Sequence, residues 1–137
     1  MKYNLDRFIR AQEYDYDQAL SEIKAGHKRS HWIWYIFPQV KGLGRSGMSE
    51  EYGIDGLDEA KAYMENEVLR IRLIEISQAL LQLDSNDPLA VMGFPDNLKL
   101  RSSMTLFAEA APEETVFADV LDKFFDGEKD PETLKRL

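Results

Sequence analysis

The chain has 137 residues, a net charge of −8 and no cysteine, with 44% hydrophobic and 31% charged residues. These totals describe one folded domain of ordinary size, residues 1–137, and they exclude disulfides, thiolate metal sites and cysteine nucleophiles. The acidic balance disfavours nucleic acid as a partner, because a basic footprint dominates duplex affinity.

Met1–Lys2–Tyr3–Asn4 opens without the apolar segment of a signal peptide. The longest apolar run, Trp32–Phe37, falls far short of the roughly 18 residues that a membrane span needs. The expectation is a soluble, cytoplasmic protein with no membrane partner.

In chain order, Leu5, Phe8, Ile9 and Gln12, then Tyr16, Ala19, Leu20 and Ile23, recur at three and four residues, the period of an amphipathic helix. Asn4 or Asp6 is placed to cap it, a break near Glu13–Asp15 would divide it, and Gly26 ends it. Ser30 is placed to cap a short helix His31–Phe37 that Pro38 terminates. A buried strand is the alternative, but no other segment resembles a partner strand. Residues 40–56 carry five of the eight glycines and read as a loop, with one helical turn at Ser49–Tyr52. Asp55 or Asp58 starts a helix through Ala60, Tyr63 and Met64. Val68–Leu83 is apolar over more than half its circumference, which predicts a central helix packed on several sides. Asp87 before Pro88 is a cap-plus-proline start, and Gly93 is a stop. Pro95–Asp96–Asn97 begins a helix to Ala111, Glu113–Glu114 opens one that Gly127 ends, and Asp130–Pro131 repeats the start device. The fold expectation is all-α: a single compact orthogonal multi-helix domain of about seven to nine helices, several short.

Charge is uneven along this pattern. Ile23–Ser49 spans 27 residues without an acid, where uniform composition would place about five. This window carries Lys24, Lys28, Arg29, Lys41 and Arg45 with both histidines, His27 and His31, and both tryptophans, Trp32 and Trp34. A second acid-free window, Asn97–Ala108, holds Lys99, Arg101, Ser102, Ser103 and Thr105. Arg and Lys supply charge, while hydroxyls and glycine amides supply donors, so the two windows together have the composition of an anion pocket. The run Arg101–Thr105 also reads as poor core material and poor helix former.

Gly42–Leu43–Gly44–Arg45–Ser46–Gly47 matches G-x-G-x-x-G. It lacks the preceding strand, the long following helix and the βαβ surroundings that give the motif its dinucleotide meaning. His31 is suited by its ordinary pKa to carry protons near neutrality. A zinc site is disfavoured by two histidines without carboxylates at ligand spacing, and no cofactor is called for.

Two blocks, His31–Trp32–Ile33–Trp34–Tyr35–Ile36–Phe37–Pro38–Gln39 with Gly42–Leu43–Gly44, and Leu98–Lys99–Leu100–Arg101–Ser102–Ser103–Met104–Thr105–Leu106–Phe107, resemble the family of unknown function DUF1810. Arg7–Phe8, Ala60–Lys61–Ala62–Tyr63 and Leu121–Asp122–Lys123–Phe124–Phe125 extend the resemblance over the whole chain. The resemblance implies a compact all-helical cytoplasmic domain and no particular activity. Its two strongest blocks coincide with the two acid-free windows.

Two functional readings follow. In the first, segments 30–47 and 97–107 form a pocket for a phosphate-bearing, nucleotide-like metabolite, with hydrolase or transferase chemistry as its enzymatic form. Arg45, Lys99 and Arg101 then hold the anion, and Ser102, Ser103 and Thr105 donate to it. Trp34 stacks, Gln39 and Gly44 complete the binding set, and His31 is the catalytic proton carrier. In the second, a non-enzymatic module docks an acidic protein or nucleic acid on its basic face.

Overall fold

A computed structural model describes residues 3–137, which form nine α-helices and no β-strand. They are α1 Asp6–Lys24, α2 Ile33–Ile36, α3 Gly47–Glu51, α4 Gly56–Glu65, α5 Glu67–Leu81, α6 Pro88–Met92, α7 Asp96–Ala110, α8 Val116–Phe125 and α9 Pro131–Lys135. The helical expectation holds. None of these helices is long and apolar enough to cross a membrane.

The start devices act as their sequences imply. Asp87 accepts from the backbone N–H groups of Leu89 and Ala90 ahead of α6, and Asp130 accepts from Glu132 N–H ahead of α9. Gly93 closes α6 at φ 76°. The helix before Gly127 stops one residue earlier, at Asp126, which takes the left-handed conformation itself.

Four local expectations are corrected. α1 runs unbroken through Glu13–Asp15, because Gln12 and Tyr16 on either side are buried on one face. Gln12 Nε2 donates to Tyr35 O at 2.8 Å and to Tyr63 Oη at 3.0 Å, so the packing holds the helix straight there. Neither Asn4 nor Asp6 caps α1; Leu5 occupies that position without a side-chain cap. Ser30 does not cap α2, which begins only at Ile33, because its hydroxyl is committed to Glu22 Oε2 at 2.6 Å.

The fourth correction concerns the centre of the molecule. α5 packs on α1, α4 and α8, yet Ile71 stays 54% exposed. The central helix is α7, which packs against α2, α4, α6, α8 and α9. Of the expected poor core material, Arg101–Thr105, only Arg101 is not buried; Ser102, Ser103, Met104 and Thr105 are buried alongside Leu106 and Phe107. An aromatic file runs through this centre: Phe8 to Tyr63 at 5.3 Å, Tyr63 to Phe107 at 5.0 Å, and Phe107 to Phe117 at 5.9 Å between ring centroids. It joins α1, α4, α7 and α8, each ring carrying the large apolar area that makes aromatics dominate cores.

The glycine-rich segment is tied down at its base. Val40 and Ile54 form an isolated parallel bridge, with Lys41 N–H donating to Ile54 O at 2.8 Å and Ile54 N–H to Gln39 O at 2.9 Å. Arg7 fastens the same region to α1 and α4, through Gly53 O at 3.0 Å and Glu59 Oε2 at 2.9 Å.

Candidate functional site

The acid-free window from Ile23 folds around the carboxylate that precedes it. Glu22 accepts from Arg29 N–H at 2.8 Å, Ser30 N–H at 3.0 Å and Trp32 Nε1 at 2.9 Å, besides the Ser30 hydroxyl. Burial alone would raise the Glu22 carboxyl. The donors from Ser30, Arg29 and Trp32 outweigh it and take the group from 4.5 down to about 2. One acid thus organises the chain that enters α2.

Two lysines from the two windows then meet one acid. Lys28 pairs with Asp96 Oδ2 at 2.7 Å with its side chain only 5% exposed, and its ammonium lies 4.8 Å from the Trp32 ring centroid. Lys99 approaches Asp96 Oδ1 at 3.7 Å and lies 5.1 Å from the Trp34 ring centroid. Each lysine is therefore placed over a tryptophan face, a favourable cation–π position. Lys28 is fully engaged, while Lys99 makes the longer ion contact and remains 23% exposed.

The windows meet at a cleft of about 290 Å³ lined by Gln39, Leu43, Gly44 and Ser49 on one side and Pro95, Leu98, Lys99 and Ser102 on the other. Asp130, which meets Ser102, and Glu132 complete the lining. A tighter enclosure of about 10 Å³ shares Gln39, Gly44 and Ser49 with this cleft and is also lined by Trp34, Met48 and Tyr52. The Trp34 indole nitrogen is buried without a hydrogen-bond partner. An unmet buried donor is costly and uncommon in a folded protein. Gly44 lies so close to α3 that a Cβ there would stand 2.4 Å from Ser49 Oγ.

Of the residues picked from the sequence, Gln39, Gly44, Lys99 and Ser102 line this cleft, and Trp34 lies behind Lys99. The others are placed differently. Arg101 turns to the far side of Leu98 and donates through Nε to Glu128 O at 2.9 Å and through Nη2 to Lys129 O at 2.8 Å. Thr105 Oγ1 donates to Arg101 O at 2.8 Å and accepts from Asp130 N–H at 2.9 Å. Ser103 is wholly buried in α7, its hydroxyl without a partner. Arg45 and His31 are exposed and do not line the cleft.

Ser102 and Thr105 serve the approach to α9. Ser102 Oγ lies 2.8 Å from Asp130 Oδ2, which also accepts from Thr133 Oγ1 at 2.6 Å. Burial pushes the Asp130 carboxyl up, but the Thr133 and Ser102 donors and the α9 amides pull it below its ordinary value. Asp130 is therefore ionised at neutral pH, an acceptor at the cleft and not a proton donor. The sequence marked Asp130 as a helix start, and nothing in its local pattern shows that α9 folds back onto α7. Ser49 and Glu132 were likewise legible only as helix residues.

An all-helical domain with a small cleft of mixed charge, at the junction of a glycine loop, a central helix and a C-terminal turn, is the class these features define. The chain belongs to the protein family of unknown function DUF1810, whose family model spans residues 2–137. It is similar to the conserved hypothetical protein Rv1873 from Mycobacterium tuberculosis, solved by crystallography, at 40% identity and a TM-score of 0.97. That match covers 100% of this chain and 98% of the other. No curated protein matches the chain.

Proposed function

We propose that the cleft between the glycine loop and α7 binds a small phosphate-bearing metabolite, with Lys99 as the anion contact. The observation that carries this reading is the state of Lys99. Lys99 lines the cleft, its ammonium lies over the Trp34 face, and its carboxylate partner stands 3.7 Å away. An ammonium has three donors and serves phosphate as a point charge, so Lys99 has capacity that Asp96 does not use. Gln39 and Ser49 add neutral hydrogen-bonding groups on the facing wall.

The basic-face alternative draws less support from the geometry. Lys28 pairs closely with Asp96, and Arg101 lies 3.9 Å from Glu128, so these cations beside α7 are matched to carboxylates and do not form an open basic face with Lys99. A histidine-driven reaction at the cleft has no support from the placement of His31.

A thermal-shift panel of phosphate, sugar phosphates and nucleoside phosphates tests the reading. A phosphorylated compound at about 100 times its dissociation constant stabilises the fold by roughly 2.7 kcal/mol. Lys99→Gln removes that response, and the lost Trp34 and Asp96 contacts cost the unliganded fold about 1 kcal/mol. A panel without any response overturns the proposal.

A further inference from the structure

The mixed charge of the cleft lining narrows its ligand, on the reading that the cleft binds a phosphorylated metabolite. We infer that the ligand is a sugar phosphate, its phosphate at Lys99 and its hydroxyls directed to Glu132. Three observations carry this.

First, the cleft is small. At about 290 Å³ it sits at the bottom of the range of small-molecule sites, about 300 to 1,000 Å³. Second, the ring that would stack a base is occupied. Lys99 covers a face of Trp34 at 5.1 Å, so the ring beside the anion contact presents that face to an ammonium and not to a nucleobase.

Third, the walls are of opposite sign. Lys99 reaches back along α7 to Asp96, while Ser102, about one turn further on, meets Asp130, and Glu132 lines the cleft with it. A second phosphate there would meet like charge, whereas a hydroxyl donor meets an acceptor. Asp130 is already filled by Ser102, Thr133 and the start of α9. Glu132 pairs with Lys135 through Oε2 at 3.1 Å, which leaves Oε1 for a ligand hydroxyl. Beside these charged groups, Leu98 and Pro95 give an apolar surface for the C–H face of a sugar ring, and Leu98 is 50% exposed.

Isothermal titration of the full chain with ribose 5-phosphate, glucose 6-phosphate, inorganic phosphate, pyrophosphate and adenosine monophosphate decides the matter. The sugar phosphates bind about tenfold more tightly than inorganic phosphate, from one charge-assisted hydrogen bond and the apolar contact. Glu132→Ala, at an exposed position, weakens the sugar phosphates and leaves inorganic phosphate equal or slightly tighter. Lys99→Gln weakens both. Pyrophosphate or adenosine monophosphate binding more tightly than either sugar phosphate, or a Glu132→Ala protein unchanged toward all probes, overturns the sugar-phosphate inference and leaves the anion site standing. Failure of every phosphorylated probe overturns the site reading and the inference with it.

Discussion

The Trp32 indole N–H donates to the Glu22 carboxylate at 2.9 Å, and both residues are buried. The bond joins the end of α1 to the entry of α2. Because the same carboxylate also holds Arg29 and Ser30, it sets the path of the chain toward the cleft. Glu22→Ala leaves these donors without an acceptor and costs about 2 to 4 kcal/mol in urea denaturation at pH 7.

The same group predicts an acid limb. Its folded pKa of about 2 lies below the ordinary 4.5, so its contribution is complete above pH 4.5. It declines as pH falls from there toward 2, by about 3 kcal/mol in all. Denaturation midpoints measured between pH 6 and pH 2 should fall more steeply for the native protein than for Glu22→Gln. Parallel curves would refute the assignment.

Lys123 on α8 reaches the C-terminal end of α5, donating to Leu80 O at 3.0 Å and Leu81 O at 3.1 Å, with Leu83 O also in contact. Leu80 and Leu81 end α5, where carbonyls run out of helical amide donors, and Leu80 O receives only a loose backbone contact, from Leu83 N–H at 3.3 Å. Lys123→Met keeps the aliphatic stem but removes the donors. It should cost about 1 to 3 kcal/mol by chemical denaturation, with the helical circular dichroism signal of the folded state retained.

Arg101 is predicted to act as a clasp on the segment before α9. Arg101→Gln frees Glu128 O and Lys129 O to solvent, where water replaces most of the loss, so the global cost is about 1 kcal/mol. Amide exchange should rise across residues 126–135 and stay unchanged in α1 and α5. Uniform exchange over the whole chain would contradict a local clasp.

Gly53 and Gly47 should respond in opposite ways. A Cβ at Gly53 would stand 2.9 Å from Ser49 O and 3.0 Å from Lys41 Cα, both backbone atoms. Gly53→Ala therefore displaces the base of the glycine loop and costs about 1 to 3 kcal/mol. A Cβ at Gly47 meets nothing within 4 Å, and Gly47→Ala should be neutral or stabilising by up to about 1 kcal/mol. Thermal midpoints of the pair measure the contrast directly.

Local chemistry made much of this fold legible. Asp87–Pro88 and Asp130–Pro131 announce helix starts because capping acids and N1 prolines act within a few residues. The errors arose where a distant partner outbid the local one. Ser30 was free to cap α2 until Glu22 took its hydroxyl. Glu13–Asp15 looked like a break until burial of Gln12 and Tyr16 held the helix together. The Arg101–Thr105 run looked unfit for a core because its hydroxyls seemed unsatisfied, yet Ser102 and Thr105 meet Asp130 across 28 and 25 residues.

By itself the sequence determined the helical class, most helix boundaries and the family, and it marked two segments that supply part of the cleft lining. These follow from periodicity, caps and residue identity, which are short-range properties of the chain. Tertiary structure alone decided that α7 and not α5 is central, that Lys99 and not Arg101 lines the cleft, and that Asp130 and Glu132 join its lining. Those outcomes depend on which side chains meet across long stretches of chain. Hydrophobic periodicity carries no information about such pairings, because it records that a face is buried and not what it is buried against.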